Sequence, residues 1–392
     1  MNRKIRIAHT ISRVSSGGAE ENTLFTINGL DKQRYSIDLI VSEELNQELL
    51  KNIIKDGSSI TIRQVRELKG SLNLLSDPIA LFKLIKIFKR EKYDIVHTHA
   101  IKPGILGRIA AKYAGVPIII CGLHGSAFQA FNNKLLDWLL IYFEKLTGNF
   151  TNVYISVSDI LTEKYQNERI GINAKYYTVF SGMDLNTFTD IKNRFNLKDI
   201  KKELNIDSDA FIVGNVARLE EVKGHSYLLD AFQMVKEIKK ESNIVLVIVG
   251  EGKEKKHLQE YAKKLGLENC VIFTGYRKDI EKIMSIMDIF ALSSLREGLP
   301  RVLVQASAAG IPSIAFNVDG VSEIINDNYN GFLIEPKDVN GLAEKIIKYI
   351  DNKELMKLHS ENGKKFTKGK WTIENMVKQT DKIYQELVQK LL

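Results

Sequence analysis

Cysteine is nearly absent from this 392-residue chain, with Cys121 and Cys270 the only two. Two thiols cannot build a disulfide framework or a four-thiolate metal site, and so low a count fits a reducing compartment such as the cytoplasm. Proline is scarce too, at 6 residues against 26 glycines, so the chain is not built from loops. Long apolar runs are missing. The longest uncharged stretch, residues 113–133, contains Pro117, His124, two asparagines and three glycines, and reads as a strand plus loop. The start, MNRKIRIAHTI, has no apolar leader core, so neither a signal peptide nor a spanning helix is expected. What is present is ordinary for a globular protein: 44% hydrophobic and 27% charged residues. The length suggests two domains.

The net charge is +8 and is unevenly spread. Residues 81–112 hold eight lysines and arginines against two carboxylates, a net +6. Such a stretch attracts phosphate or anionic lipid, or is simply a solvated helix face. The expected location is therefore the cytoplasm, with peripheral contact to the inner face of the cell membrane.

Short β-branched runs alternate with longer amphipathic ones. Strands are predicted at 5–9, 35–41, 60–64, 95–97, 118–123, 153–157 and 176–180, then at 212–216, 244–249, 271–273, 289–291, 313–316 and 331–334. This alternation predicts an α/β protein with two doubly wound, Rossmann-like domains facing across a cleft. Domain boundaries fall at 1–184 and 185–370. The final 371–392 form a helix, with no strand after it, that crosses back to the first domain. Ligands of open parallel sheets bind beyond the carboxyl ends of the strands, so chemistry is sought in those loops.

Five places stand out. Gly17 and Gly18 open a helix after the first strand and let backbone N–H groups approach a phosphate. His97 and His99 alternate on one strand; no third ligand has supporting spacing, so no metal site is expected, and His99 is a candidate acceptor contact. His124 sits beside Gly125 at a strand's end. Arg218 and Lys223, five residues apart in a strand–helix loop, suit a diphosphate that gains charge as it leaves. In the fifth, Glu297 precedes Pro300 and a helix start, and Gln305 is placed two helical turns on and roughly on the same side.

The ordered set GGAE (17–20), YDIVHTH (93–99), LHG (123–125), SGMD (181–184), VARLEEVKG (216–224), VGEG (249–252), GYRKD (275–279), SLREGLPRVLVQA (294–306) and NVDGVSEII (317–325) resembles the retaining GT-B glycosyltransferases of the glycosyl transferases group 1 family. The resemblance covers nearly the whole chain. It implies that the second domain binds a nucleotide sugar, with UDP-sugars favoured, and that the first binds the acceptor. Arg218 and Lys223 would hold the diphosphate, Glu297 the donor sugar, and His124 the reacting centre. Gly17, Gly18, Gly250, Gly252, Arg277, Leu299, Arg301, Val302 and Gln305 would surround the donor. Gln305 stands where the family commonly has glutamate, and Asp319-Gly320 where a double glycine is common. His99 and Arg108 would serve the acceptor, a lipid-linked glycan or cell-surface polysaccharide precursor.

The expected reaction moves a hexosyl or N-acetylhexosaminyl unit to a hydroxyl with retention, by front-face substitution, and without metal or other cofactor. Two alternatives are weaker. A sugar-nucleotide epimerase shares the fold. A non-catalytic basic protein binding membrane or nucleic acid rests on charge alone; no nucleic-acid signature is present, so nucleic acid is not an expected partner.

Overall fold

The computed structural model describes residues 3–14, 17–54, 60–69, 73, 75–125 and 134–390. The chain divides into two compact units. One holds Met1–Met183 with Trp371–Leu392, and the other Asp184–Lys370.

In the first unit the strands are β1 Ile5–Thr10, β2 Tyr35–Val41, β3 Ile60–Gln64, β4 Ile95–His99, β5 Ile118–Leu123, β6 Val153–Ser156 and β7 Lys175–Thr178. They form one parallel sheet in the order β3-β2-β1-β4-β5-β6-β7. The helices between them are α1 Gly18–Gly29, α2 Gln47–Ile53, α3 Asp77–Glu91, α4 Ile101–Ala114, α5 Lys134–Gly148 and α6 Asp159–Asn167. The apolar run of β5 is buried at every residue, because helices cover both faces of a parallel sheet.

The second unit begins with two short helices, α7 Ile191–Arg194 and α8 Leu197–Glu203. Its strands are β8 Phe211–Val216, β9 Ile244–Val249, β10 Val271–Gly275, β11 Ile289–Leu292, β12 Ser313–Phe316 and β13 Gly331–Ile334. Their order is β10-β9-β8-β11-β12-β13, again parallel. The helices are α9 His225–Ile238, α10 Lys255–Lys264, α11 Ile280–Met284, α12 Arg301–Ala308, α13 Val339–Asp351 and α14 Lys353–Thr367. In both sheets the strand order reverses beside the first strand of the unit, at β1/β4 and at β8/β11. That switch point is where such folds open a crevice for ligands.

Helix α15, Ile373–Gln389, belongs to the first unit. Thr372 caps it by accepting from the Asn375 N–H. Met376, Thr380, Ile383 and Tyr384 follow helical spacing and are buried. The helix packs on α1, where a side chain at Gly29 would strike Val377 at 2.6 Å. Trp371 is fully buried and meets Phe180 edge-on at 6.0 Å.

Candidate active site

Two groups of side chains gather at the two switch points. In the second unit, β8 ends into the loop carrying Arg218 and Lys223, and β11 ends into the loop carrying Glu297. Lys223 Nζ donates to Glu297 Oε1 at 2.7 Å, and both side chains are largely buried. Asp319 Oδ2 accepts from the Glu297 N–H at 2.7 Å, which joins the 317–323 loop to the same point. Gly320 is required there, since a side chain would lie 2.4 Å from the Gly298 carbonyl. Arg218 is different. Its side chain is 65% exposed and, among the described residues, bonded to neighbouring Glu220 at 2.9 Å.

Glu297 lies in a loop and not on the helix. Helix α12 begins at Arg301, behind Pro300. Gln305 is therefore about one turn into α12, and the two-turn register expected from sequence does not hold. Leu299 is buried; Arg301, Val302 and Gln305 are half-buried. The first turn of α12 offers N–H groups that lack partners inside the helix, which favours an anion.

Gly250 and Gly252 act through backbone. Gly250 has φ +146°, and a side chain on it would lie 1.9 Å from the Ala217 carbonyl; at Gly252 the clash is with Leu219 at 2.1 Å. Both press the β9 loop against the Arg218 loop. Arg277 is bound in bidentate fashion to Asp279, at 2.8 and 2.7 Å, and also pairs with Glu203 at 2.9 Å. Its guanidinium is thus committed to carboxylates, leaving nearby backbone to meet a ligand.

Beneath this loop lies a pair that sequence reasoning missed. Asn215 Nδ2 donates to the Ala291 carbonyl at 2.8 Å and ties β8 to β11. Its Oδ1 then accepts from His225 Nε2 at 3.1 Å, which puts a proton on that nitrogen.

In the first unit the second group sits at β1/β4. His9 and His97 are register partners, His99 follows on the same face of β4, and Gly122 of β5 lies opposite His99. A side chain at Gly122 would come within 2.7 Å of His99 and 3.0 Å of His97, so its absence makes room for the rings. His9 Nδ1 meets His99 Nε2 at 2.9 Å, and His99 Nδ1 meets His124 Nε2 at 2.9 Å. Tyr384 Oη lies 2.6 Å from His97 Nδ1 and 3.4 Å from His9 Nε2.

The structure thus brings a third histidine to His97 and His99, against the expectation that none would join them. Ring nitrogens of His9, His97 and His99 lie within 4.8 Å of one another, a spacing at which one ion reaches all three. Ring-to-ring and ring-to-tyrosine bonds already use every nitrogen of the three except His97 Nε2. His9 was detectable in principle: like His99, it lies near the carboxyl end of an apolar strand.

Burial pushes His9 down to about 3, with Lys32 adding to the shift, and pushes His225 down to about 4, with Lys223 adding. Their ordinary value is 6.5. Between these limits the unfolded chain binds more protons than the folded one, so stability falls as pH drops through that window. Each ring is expected to cost about 2 kcal/mol at pH 5 relative to pH 7. Thermal unfolding at the two pH values measures this, and an unchanged Tm would mean the rings are not held neutral.

Gly17 lies at the start of α1, and its neighbours Ser15 and Ser16 lie outside the described residues. Glu20 pairs with Arg13 at 3.2 Å beside that turn.

Two expectations are corrected. Arg108 has no exposed surface. It donates to Glu144 Oε2 at 2.7 Å, Tyr154 Oη at 3.0 Å and the Gly104 carbonyl at 2.8 Å. It ties α4 to α5 and cannot reach an acceptor. His99 is likewise buried and reaches outward only through His124. Arg108→Ala leaves the Glu144 carboxylate buried without its cation and is expected to cost about 3–5 kcal/mol in urea unfolding; a loss below about 1 kcal/mol would show the pair relaxes into water. The basic stretch also shrinks, since Lys102 is buried on Asp77 at 2.7 Å and Lys83 pairs with Glu67 at 2.6 Å.

Comparison with known proteins gives consistent matches. Residues 197–366 match the family model "Glycosyl transferases group 1", and residues 15–158 match "Glycosyl transferase 4-like". The chain is 31% identical over 385 residues to an Escherichia coli UDP-Gal:alpha-D-GlcNAc-diphosphoundecaprenol alpha-1,3-galactosyltransferase, covering 97% of this chain and 96% of that one. It is 26% identical to the capsular polysaccharide biosynthesis glycosyltransferase CapM of Staphylococcus aureus, over 82% of this chain and 84% of that one. Among solved structures, Anabaena HepE in complex with UDP and glucose superposes with a TM-score of 0.80 at 20% identity, covering 97% and 99% of the two chains. Sucrose-phosphate synthase from Thermosynechococcus elongatus gives 0.82 at 18% identity, covering 99% and 100%.

Proposed function

The chain belongs to the glycosyl transferases group 1 family and is a glycosyltransferase, and we propose that it moves a hexosyl or N-acetylhexosaminyl unit from a UDP-sugar to a hydroxyl of a lipid-linked glycan, with retention of the α configuration. The observation that carries the donor site is the Lys223–Glu297 pair at the β8/β11 switch point, beside the start of α12. Lys223 and Arg218 bind the diphosphate, and the α12 N–H groups add positive potential. Glu297 accepts hydroxyl hydrogen bonds from the donor sugar. Gln305 binds ribose through its amide oxygen. In the first unit, His124 and Gly17-Gly18 are the residues assigned to substrate contact. These cations carry the leaving-group charge, so turnover should persist in a chelator. The UDP and lipid-linked parts of the reading draw on the galactosyltransferase relative, which makes UDP-galactose the first donor to try. Thermal shifts with UDP, GDP and ADP test the nucleotide. UDP is expected to stabilise most, and equal shifts would remove the preference.

No described helix is long and apolar enough to cross a membrane. Helix α5 nevertheless exposes Leu135, Leu136, Trp138, Tyr142 and Leu146, with Trp138 at 59%. Helix α4 packs against both α3 and α5, and α3 exposes Phe82. Aromatics with flanking lysines such as Lys134 and Lys145 suit a bilayer interface, which would bring the enzyme to a lipid-linked acceptor. Co-sedimentation with anionic vesicles is the test. Trp138→Ser with Tyr142→Ser is expected to abolish it. Replacing Lys83, Lys86 and Lys89 by Gln should weaken it only at low salt. Binding that survives the aromatic change would place the contact elsewhere.

A further inference from the structure

The Lys223–Glu297 pair stands over the place where β8 and β11 part. The ladder between these strands is short. Ile289 faces Val213 and Phe290 faces Gly214, and among the described residues the pairing ends there. On its other edge β8 stays paired with β9 as far as Val216, and β11 stays paired with β12 as far as Leu292. The gap therefore opens at Asn215 and Ala291. The Asn215 side chain spans it, donating from Nδ2 to the Ala291 carbonyl at 2.8 Å. A carbonyl can only accept, so this bond sets which way the amide points. Its Oδ1 is left for His225, whose Nε2 donates to it at 3.1 Å. Both side chains are buried.

His225 opens α9 two residues past Lys223. The residues between the strand and that helix are held by the β11 loop. The Leu295 N–H donates to the Val222 carbonyl at 2.8 Å, and the Ser293 hydroxyl to the Lys223 carbonyl at 3.3 Å. Gly224 has φ +61°, and a side chain on it would lie 2.2 Å from the Ser293 carbonyl. The contacts close a circuit that runs from β11 through Asn215, His225 and Lys223 to Glu297, and so back to β11. Burial, with Lys223 adding, brings the His225 ring down to about 4, so at neutral pH it anchors the loop without placing a second cation beside the lysine.

We propose that Asn215 and His225 are positioning residues for the transfer: they lock the Lys223 loop onto the Glu297 loop, so that the Lys223 ammonium stands where the diphosphate leaves. The proposal rests on the reading that Lys223 binds the donor diphosphate. It gives the opened edge of the sheet a task. Where the backbone ladder stops, one amide side chain takes its place and passes the register on to the helix that follows the lysine.

The test is a double-mutant cycle on the full chain, with near-UV circular dichroism confirming the fold of each variant. His225→Phe keeps a ring of similar size and removes the donor. Asn215→Ala removes both bonds. Each is expected to lower kcat by about 10- to 100-fold, since misplacing a group by about 1 Å can cost as much as 10²-fold. In a Lys223→Ala background each is expected to cost no more than about twofold, because the lysine it places is gone. Either lesion completes the cycle alone, so one that fails to fold leaves the other to decide. His225→Gln offers an amide N–H in place of Nε2 and is expected to restore kcat to within about threefold of wild type. Equal losses with and without Lys223, or a His225→Gln as poor as His225→Phe, would overturn the positioning role and leave the pair as a stabiliser of the fold. Near-normal turnover in Lys223→Ala alone would instead remove the diphosphate reading beneath it.

Discussion

Lys223→Ala is expected to lower turnover by about 10²–10³-fold, the usual loss for one preorganised charge-stabilising donor. Lys223 is held ready for an anion. Its ammonium is largely buried and fixed 2.7 Å from Glu297. Low exposure raises the value of that charge to a leaving diphosphate, because little water screens it. Arg218 starts from a weaker position, exposed and bonded to Glu220. Arg218→Ala is therefore expected to cost less, about 10²-fold or below. Steady-state kinetics with one donor rank the two variants. Near-normal turnover in both would remove the diphosphate assignment. A larger loss at Arg218 would mean that its side chain is recruited and buried only when donor binds.

Glu297→Gln and Gln305→Ala should separate along different kinetic parameters. Glu297 is placed by two contacts, the Lys223 ammonium and the Asp319 carboxylate that holds its backbone N–H. Changing it to Gln keeps shape and removes charge. Lys223 then loses its counter-ion, and the sugar loses a charged acceptor. Since charge develops only as the glycosidic bond breaks, kcat is expected to fall more than KM rises. Gln305 lies one turn into α12 and is assigned to ribose, which changes little during transfer. Gln305→Ala should act mainly on KM, by about 1–2 kcal/mol for one lost buried hydrogen bond. Gln305→Glu should be tolerated. A collapse of kcat in Gln305→Ala with Glu297→Gln intact would reverse the roles.

Most of the fold was legible because buried parallel strands announce themselves. Runs such as Ile118-Ile119-Ile120-Cys121 have no polar face to present. The parallel, doubly wound character of each sheet followed from two series of alternating elements. The placement of Arg218, Lys223 and Glu297 was legible for a related reason: all three lie just past strand ends. What failed did so for want of long-range information. Nothing local distinguishes Arg108, buried on Glu144 of the next helix, from the solvated lysines around it. Nor does spacing link His9 to His97, since parallel pairing brings together residues far apart in the chain. The α12 register went wrong because Glu297 and Gln305 look helically related when the loop before Pro300 is counted as helix. Asp319 has φ +43° and was noted only as a departure from glycine; its carboxylate proves to hold the Glu297 backbone in place.

The central claim is transfer from a UDP-sugar with retention. Its most direct measurement is proton NMR of the product formed from UDP-galactose and a synthetic N-acetylglucosaminyl diphosphate lipid. The account predicts a new disaccharide whose anomeric coupling is the small one of an α linkage, formed together with UDP and lost in Lys223→Ala. A β-linked product would contradict retention. An altered sugar still attached to UDP, with no disaccharide, would contradict transfer itself and favour the epimerase chemistry.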